Sequence, residues 1–486
     1  MRRVYKNGFF RFHHGYICIM YHPISTGIIE QLKKVVGIDF VFTDEENKLK
    51  YASDETEDLQ YFPEVIVKPA SAMEVSQIMV LANQERIPVT PMGARTGLSG
   101  GALPVHGGIA LSMERFNKIL FIDERNLQVI TEPGVITEVL QNAVIEKGLF
   151  YPPDPASKGS CFIGGNVAEN SGGPKAVKYG VVKDYVLNLE VVLPTGEIIW
   201  TGANVLKNAT GYNLTQLLVG SEGTLGIVTK IVLRLIPYPP FNLLMMVPFR
   251  SAIRACEAVS AIFRAGITPS AMEFLERDAI DFVLQHNPDI LVSVPEHIAA
   301  HLLIEVDGNN KDVLMQDCET IAAVVQDFDC DEILFAESER EKNDLWKMRR
   351  KVGEAVKQNS VYKEEDTVVP RAELPRLLEG VKTIGNKYGF RSVCYGHAGD
   401  GNLHVNIIRG DLTEKQWNEM LPAGIREIFE LVVGLGGTLS GEHGIGLVQK
   451  PYMHIAFDST QQELFRSIKK IFDPNLVLNP GKILDI

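Results

Sequence analysis

The sequence predicts an α+β protein with two domains. Twenty of its 42 glycines fall between Gly93 and Gly226, about twice the rate found elsewhere in the chain. A proline-rich segment at 236–241 follows, and beyond it helical periodicity alternates with short strand-like runs. We therefore expect an N-terminal tail and helix at 1–44, a glycine-rich domain at 45–237 and a second α+β domain at 238–486.

Composition excludes several classes of protein. The 486 residues include 48 Lys and Arg against 61 Asp and Glu, a net charge of −13, which argues against a general nucleic-acid binder. Six cysteines without a C-x-x-C pair predict neither a disulfide scaffold nor a cysteine-ligated zinc or iron–sulfur cluster. No signal peptide and no apolar stretch of about 20 residues is evident. We expect a cytoplasmic protein with no transmembrane span, or one loosely associated with a membrane through a partner.

The elements are predicted in order from apolar spacing. An amphipathic helix is expected at 26–41, then a strand at 65–67, a helix at 72–84 and a strand at 87–90. Past the prolines, strands are expected at 302–306 and 332–336. Helices are expected in five further segments: 251–265, 272–285, 311–327, 339–358 and 372–388.

Three glycine-rich segments lie in the first domain. Residues 91–105 read PMGARTGLSGGALPV, and their G-x3-G-x2-G-G spacing matches neither the dinucleotide nor the P-loop motif. Small residues let backbone N–H groups converge on an anion, with the Thr96 and Ser99 hydroxyls beside them. A tight loop without a ligand is the alternative for this segment alone. Residues 151–186 and 219–235 continue the glycine pattern, as a large phosphate-bearing ligand would require.

Together, these segments resemble the FAD-binding domain of vanillyl-alcohol-oxidase/PCMH-type flavoproteins. The resemblance covers about residues 45–486 and is closest to the glycolate oxidase large subunit, D-lactate dehydrogenase and D-2-hydroxyglutarate dehydrogenase group. It implies a PCMH-type FAD-binding domain, a cap domain of the FAD-linked oxidase C-terminal type, and a tail at 441–486 that returns to the flavin domain. The FAD contacts it implies are Pro91, Gly93, Arg95, Thr96, Gly97, Leu98, Ser99, Gly100, Pro133, Gly134, Pro153, Asp154, Ser157, Gly165, Asn166, Asn170, Gly173, Tyr179, Glu222, Gly223 and Ile227.

Some proteins of this family attach FAD covalently through a histidine in the first of these loops. No histidine occurs between residues 91 and 101, and Arg95 occupies the corresponding region. We therefore expect non-covalent FAD.

Histidines and one glutamate form a second pattern near the C-terminus. His397 and His404 flank a glycine-rich turn, and Glu442 and His443 lie between glycines. Two histidines and a carboxylate suit a divalent metal, although each could instead be a polar core residue. The resemblance implies that His397, His404 and Glu442 bind the metal, with Zn²⁺ as the expected ion. It also implies that Asn406 contacts substrate and that His443 contacts substrate and acts as the catalytic base.

A basic helix at 345–358 and the extended segment after it carry the other implied substrate contacts. The resemblance places a carboxylate-binding arginine at Arg349 and a substrate lysine at Lys363. The 2-hydroxyglutarate enzymes have a threonine where this chain has Gly353. This departure favours D-lactate or glycolate over D-2-hydroxyglutarate, which remains the alternative.

The sequence therefore predicts an FAD- and metal-dependent oxidation of a small D-2-hydroxy acid to the 2-oxo acid. A metallohydrolase using the histidine–glutamate set, and a non-catalytic flavin subunit, are the alternatives from other classes. The reduced flavin would pass its electrons to an external acceptor: an iron–sulfur subunit, a quinone, an electron-transfer flavoprotein or a cytochrome.

Overall fold

The computed structural model describes residues 21–288, 290, 292 and 294–486. The predicted tail at residues 1–20 lies outside the described residues. Within the described part of the chain, no helix is both long and apolar enough to cross a bilayer.

The first domain contains a two-stranded sheet, formed by Leu149–Phe150 and Ile236–Pro237, and two larger sheets. One is four-stranded, with β2, β4 and β3 parallel and β1 antiparallel; the other is five-stranded and antiparallel, in the order β5-β6-β10-β8-β9. The strands are β1 (Val41–Phe42), β2 (Val65–Val67), β3 (Val89–Met92), β4 (Ile109–Ser112), β5 (Ile119–Asp123), β6 (Gln128–Thr131), β7 (Leu149–Phe150), β8 (Val186–Val192), β9 (Ile198–Trp200), β10 (Ile227–Arg234) and β11 (Ile236–Pro237). The helices are α1 (Thr26–Val36), α2 (Glu45–Lys50), α3 (Ala72–Glu85), α4 (Thr137–Ile145), α5 (Ile163–Glu169), α6 (Ala176–Tyr179) and α7 (Leu214–Leu218).

Helix α1 is shorter than the sequence predicts and belongs to the first domain's core. Ser25 caps its N-terminus by accepting a hydrogen bond from the Ile28 N–H, and Gly37 ends it with φ +92°, a conformation that favours glycine. Ile28 and Leu32 are buried in the same cluster as the strands of the first sheet. Helix α1 therefore packs on the sheet that positions the first glycine-rich loop.

The second domain is built on a seven-stranded antiparallel sheet in the order β15-β12-β14-β13-β17-β18-β16. Helices α8, α10, α13 and α14 pack on one face, and α9, α11 and α12 pack on the other. The strands are β12 (Phe241–Phe249), β13 (Ala271–Glu276), β14 (Ala300–Gly308), β15 (Leu334–Phe335), β16 (Tyr362–Val368), β17 (Arg391–Gly396) and β18 (Asn402–Ile408). The helices are α8 (Ala252–Arg264), α9 (Arg277–His286), α10 (Lys311–Val325), α11 (Glu339–Arg350), α12 (Val352–Asn359), α13 (Leu374–Tyr388) and α14 (Glu414–Gly434).

The segment at 272–285 is a correction to the predicted helices. Its first part is the inner strand β13, and only its second part, α9, is helical. Met272 and Phe274 face one apolar cluster while Ala271 and Leu275 face the other, so both faces of the strand are buried. A strand buried on both faces shows no polar alternation, and a short apolar run then cannot be distinguished from a helix by periodicity.

Smaller differences concern element ends. The predicted helix at 339–358 divides at Lys351 into α11 and α12. The strand expected at 332–336 is only β15, and the strand expected at 87–90 lies two residues later, as β3.

The C-terminal segment returns to the first domain. After α15 (Met453–Ala456) and α16 (Ser459–Phe472), Val477 and Leu478 are buried in the cluster of the first sheet. The Asn479 N–H donates to the Val89 carbonyl at 2.7 Å. These contacts tie the chain end to the strand that leads into residues 91–101.

A charged contact joins the two domains. Lys175 pairs with Glu305 and lies 3.6 Å from Asp307, and Lys178 Nζ lies 2.6 Å from Asp307 Oδ1. The Tyr179 hydroxyl donates to the same Asp307 oxygen at 2.7 Å. This network holds α6 against β14 and so orients the first domain relative to the second.

Candidate active site

A cavity opens between the three glycine-rich segments and the loop that carries Glu442 and His443. It is bounded by the loops after β3 and β6, by the N-terminal turn of α5 and by the loop before β10. The predicted FAD residues that line it are Pro91, Gly93, Arg95, Thr96, Gly97, Leu98, Pro133, Ser157, Gly165, Asn166, Glu222, Gly223 and Ile227.

The cavity wall has the properties that a large polar cofactor needs. A Cβ added at Gly97 or Gly165 would meet no heavy atom within 4 Å, so the backbone at both positions faces open space. Arg95 Nη1 and Glu169 Oε2 are buried without a hydrogen-bond partner among the described residues. Buried polar atoms are rarely left unpaired, so these residues fit a bound group such as FAD.

The remaining predicted FAD residues do not line this cavity, and several are engaged in packing. A Cβ at Gly134 would lie 2.4 Å from the Met113 carbonyl oxygen, so the loop after β6 has no room for a side chain there. The Pro153 carbonyl accepts from Gln141, and Tyr179 binds Asp307 of the second domain. Direct FAD contact stays a prediction for all twenty-one residues. The eight that do not line the cavity are Ser99, Gly100, Gly134, Pro153, Asp154, Asn170, Gly173 and Tyr179.

The histidine cluster, comprising His397, His404, Glu442 and His443, lies at the edge of the same cavity. His397 follows β17, His404 lies within β18, and Glu442 and His443 lie in the loop after α14. His397 Nε2 is 3.2 Å and His404 Nε2 is 3.8 Å from Glu442 Oε1. One ligand atom from each of these three residues lies within 4.8 Å of the other two. This donor set fits a divalent metal ion.

A carboxylate lies behind the other ring nitrogen of both histidines, and it is hydrogen-bonded to that nitrogen only at His397. His397 Nδ1 lies 2.8 Å from Glu273 Oε1. His404 Nδ1 lies 3.4 Å from Glu364 Oε1 and 3.7 Å from Asp366 Oδ1. A carboxylate behind a histidine fixes its ring orientation and raises its basicity, and this arrangement typically supports a metal ligand.

The three candidate ligands differ in protonation state, and coordination by His397 would require the loss of its proton. Burial lowers the pKa of His404 to about 3, so its ring is neutral and able to coordinate. Burial would also lower the pKa of His397, but the Glu273 and Glu442 carboxylates outweigh it and raise that pKa. Burial would raise the pKa of Glu442, but the positive charge of His397 outweighs it and holds that pKa at about 2.

Asp366 anchors the loop that presents Glu442 and His443. Its Oδ2 accepts the backbone N–H groups of Gly441, Glu442 and His443 at 2.8, 2.8 and 3.0 Å, and the Ser440 hydroxyl at 2.9 Å. Burial would raise the pKa of Asp366, but His443, His404 and these N–H donors hold it well below its usual range. A permanently ionised carboxylate therefore fixes the position of the loop.

Two further predicted residues lie beside the cluster. The rings of His443 and His404 stack with centroids 5.3 Å apart. Burial would lower the pKa of His443, but Asp366, Glu364 and Glu442 outweigh it and raise that pKa. Asn406 is fully buried, and neither its Oδ1 nor its Nδ2 has a hydrogen-bond partner among the described residues. Both placements are compatible with the predicted substrate contacts.

The two predicted cationic residues are placed differently. Arg349 is buried, its Nε donates to Glu273 Oε2 at 2.7 Å, and its guanidinium lies 5.0 Å from the Tyr395 ring centroid. The Arg349 side chain therefore shares a carboxylate with His397. Lys363 is opposite Ile407 in the β16–β18 register, and its Nζ lies 3.1 Å from Glu57 Oε2. The face of β16 that carries Asp366 carries Glu364, not Lys363.

Sequence reasoning missed the acidic partners of this site. Glu273 lies within the segment predicted as a helix, and nothing in its local pattern marks it. Glu364 and Asp366 could have been found, because strand alternation puts both on one face and the three consecutive acidic residues 364–366 are unusual in a buried strand.

Known protein families match the two domains of this chain separately. Residues 63–202 match a family model described as an FAD binding domain. Residues 238–483 match the model of the C-terminal domain of FAD linked oxidases. The chain belongs to the FAD-linked oxidase family. Its first domain is thus an FAD-binding domain.

Curated relatives of this FAD-linked oxidase match it over nearly its whole length. It is 38% identical to the glycolate oxidase subunit GlcD of Bacillus subtilis, over 95% of this chain and 97% of that protein. It is 37% identical to a D-lactate dehydrogenase of Anaerostipes hadrus, over 95% and 98%. Identity to a D-2-hydroxyglutarate dehydrogenase of Stutzerimonas stutzeri is 33%, over 94% and 98%.

Solved structures share the fold at lower identity. A p-cresol methylhydroxylase structure matches with a TM-score of 0.77 at 17% identity, covering 94% of this chain and 96% of that one. An alkyldihydroxyacetonephosphate synthase matches with a TM-score of 0.73 at 19% identity, over 96% and 87%. The predicted α+β class, with a PCMH-type flavin domain and a C-terminal oxidase domain, is confirmed.

Proposed function

We propose that this chain oxidises a small D-2-hydroxy acid, with D-lactate or glycolate favoured, to the 2-oxo acid. The observation that carries the proposal is the convergence of His397, His404 and Glu442 at the edge of the glycine-lined cavity, with His443 beside them. The glycolate, D-lactate and D-2-hydroxyglutarate enzymes among its relatives support this class of substrate.

Each residue has a defined task in this proposal. His443 takes the proton of the substrate hydroxyl as the hydride leaves C2, the carbon that bears this hydroxyl. Asp366 holds the His443 backbone in place. Arg349 binds the substrate carboxylate through its guanidinium, and the fully buried Asn406 amide binds the hydroxyl or carboxylate. The glycine-lined cavity would hold FAD, which would supply the hydride acceptor. His397, His404 and Glu442 would hold a divalent ion, with Zn²⁺ as the expected ion, which would supply polarisation of the substrate oxygens.

The proposal extends to how FAD is held and reoxidised. We propose non-covalent FAD, because Arg95 lies over the Tyr51 ring at 4.3 Å and the loop at 91–101 contains no histidine. Denaturation followed by filtration should therefore release the yellow chromophore. We also propose that an external electron acceptor reoxidises the flavin and that the protein is cytoplasmic.

The proposal is tested by anaerobic bleaching of the bound flavin. The panel is D- and L-lactate, glycolate, D- and L-2-hydroxyglutarate and D-malate, each with and without a chelator. Fast, chelator-sensitive bleaching by a small D-2-hydroxy acid is the expected result. A yellow protein that none of these acids bleaches would refute the proposed substrate class, and chelator-resistant bleaching would refute the metal.

A further inference from the structure

Glu364 lies on the face of β16 that is turned toward the histidine cluster. In the β16–β18 register, Glu364 is opposite Asn406 and Asp366 is opposite His404. Side chains two residues apart on a strand share a face, so Glu364, Asp366, His404 and Asn406 form one surface. The predicted substrate lysine, Lys363, alternates away from it.

Unsatisfied polar groups surround Glu364. Both side-chain heteroatoms of Asn406 and the Nδ1 of His404 are buried without a hydrogen-bond partner among the described residues. Glu364 Oε1 lies 3.3 Å from the Tyr395 hydroxyl and 3.4 Å from His404 Nδ1. Since buried polar groups are nearly always paired, this surface has the properties of a ligand subsite.

The charges around this subsite limit what it can bind. The cations nearest to it have other tasks in the proposed function or in packing. His443, whose ring nitrogen lies within 4.8 Å of a Glu364 carboxyl oxygen, takes the hydroxyl proton, and Arg349 binds the first carboxylate. Lys363 pairs with Glu57. A second carboxylate on a substrate would therefore meet the carboxyl group of Glu364, whereas a methyl, hydrogen or hydroxyl substituent would not. Like-charge contacts of this kind are a common basis of specificity.

Gly353 lies close to the Tyr395 hydroxyl. A Cβ at Gly353 would lie 3.2 Å from the Tyr395 hydroxyl, a closer contact than side chains usually make. A side chain at position 353 would therefore crowd the hydroxyl that donates to Glu364 Oε1 at 3.3 Å.

We propose that Glu364 determines the substrate class by admitting 2-hydroxy acids whose C2 substituent is uncharged and rejecting those with a second carboxylate. This inference rests on the proposed function, and it names a residue that the resemblance did not. It predicts that wild-type protein uses D-lactate or glycolate in preference to D-malate and D-2-hydroxyglutarate.

The test is the isosteric variant Glu364→Gln, which removes the charge and keeps the shape. For wild type and variant, kcat/KM of anaerobic flavin reduction is measured with D-lactate, D-malate and D-2-hydroxyglutarate. We expect the ratio of dicarboxylate to D-lactate efficiency to rise by at least about tenfold. A general effect through the orientation of His404 would change all substrates alike and would cancel in this ratio.

Glu365→Gln is the matched control, because Glu365 is the next residue on the same strand and faces the other side. Its Oε2 accepts from Gln449 Nε2 at 2.5 Å, and its register partner is Val405 of the apolar core. This variant should leave the substrate ratio unchanged.

A binding readout separates failure of this inference from failure of the proposed function. Perturbation of the flavin absorbance by pyruvate and by 2-oxoglutarate reports binding without turnover. If the Glu364→Gln ratio stays at the wild-type value, or if wild type prefers a dicarboxylate, the inference is overturned. If no 2-hydroxy acid reduces the flavin, the proposed function fails. The inference then stands only if Glu364→Gln strengthens the binding of 2-oxoglutarate relative to that of pyruvate, and it is overturned otherwise.

Discussion

The glycine-rich cavity wall and the histidine cluster meet at one site but are built in opposite ways. The wall is formed by loops and helix ends in which side chains are absent, as at Gly97 and Gly165. The cluster is formed by side chains, and one of them, His404, projects from strand β18 opposite Asp366 of β16. Adding atoms should therefore damage the wall, whereas removing atoms or charge should damage the cluster.

The largest expected effect is that of His404→Ala. We expect flavin reduction by substrate to fall by more than about 1,000-fold, since loss of a partner behind a ligand already costs about 10–100-fold. FAD content, measured by absorbance, should stay at the wild-type level because the cavity wall is untouched. The exposed His454 provides the control, and His454→Ala should be unaffected in both measurements. Loss of FAD from His404→Ala would show that the two parts of the site are not separable.

The contrast also explains how much could be predicted from sequence. Glycines and histidines are visible as residue types, so the loops at 91–101 and the residues His397, His404, Glu442 and His443 were found directly. The acidic residues behind the histidines were not found. Glu273 belongs to a strand whose sequence predicts a helix, and its contact with His397 depends on the β13–β17 pairing. Strand pairing joins residues far apart in the chain, and local periodicity carries no information about it.

A second prediction concerns the other face of β16, where burial raises the pKa of Glu365 to about 7 from an ordinary 4.5. Between these values the folded state binds more protons than the unfolded state, so this group makes stability fall as pH rises. Glu365→Gln removes that dependence. The unfolding free energy of the variant minus that of wild type should therefore be larger at pH 8 than at pH 4.5, by on the order of 3 kcal/mol. Thermal unfolding at both pH values measures this, and an equal difference at the two would contradict it.

A smaller effect is expected from substituting two neighbouring glycines of α5. One substitution should affect packing and the other FAD binding. A Cβ at Gly164 would lie 2.5 Å from Pro133 Cβ and 3.0 Å from its carbonyl oxygen, whereas one at Gly165 would enter open space in the cavity. Gly164→Ala should therefore lower stability by about 1–3 kcal/mol. Gly165→Ala should leave the unfolding midpoint of the FAD-free protein unchanged and weaken FAD binding, measured by titration. The opposite assignment of the two defects would place the cofactor elsewhere.

The smallest effect is expected from Lys363→Met, which tests the predicted substrate lysine. The Lys363 ammonium is already paired with Glu57, and both side chains are only partly buried, at 20% and 16% exposure. Removing a partly exposed pair typically costs less than about 1 kcal/mol. We expect kcat/KM for D-lactate within about twofold of wild type. Lys363 lies on one face of β16, whereas Asp366, the partner of His404, lies on the other. A large loss confined to dicarboxylates would instead show that Lys363 reaches the substrate around the edge of the sheet. In that case the face shared by Glu364 and Asn406 would not be the only determinant of substrate charge.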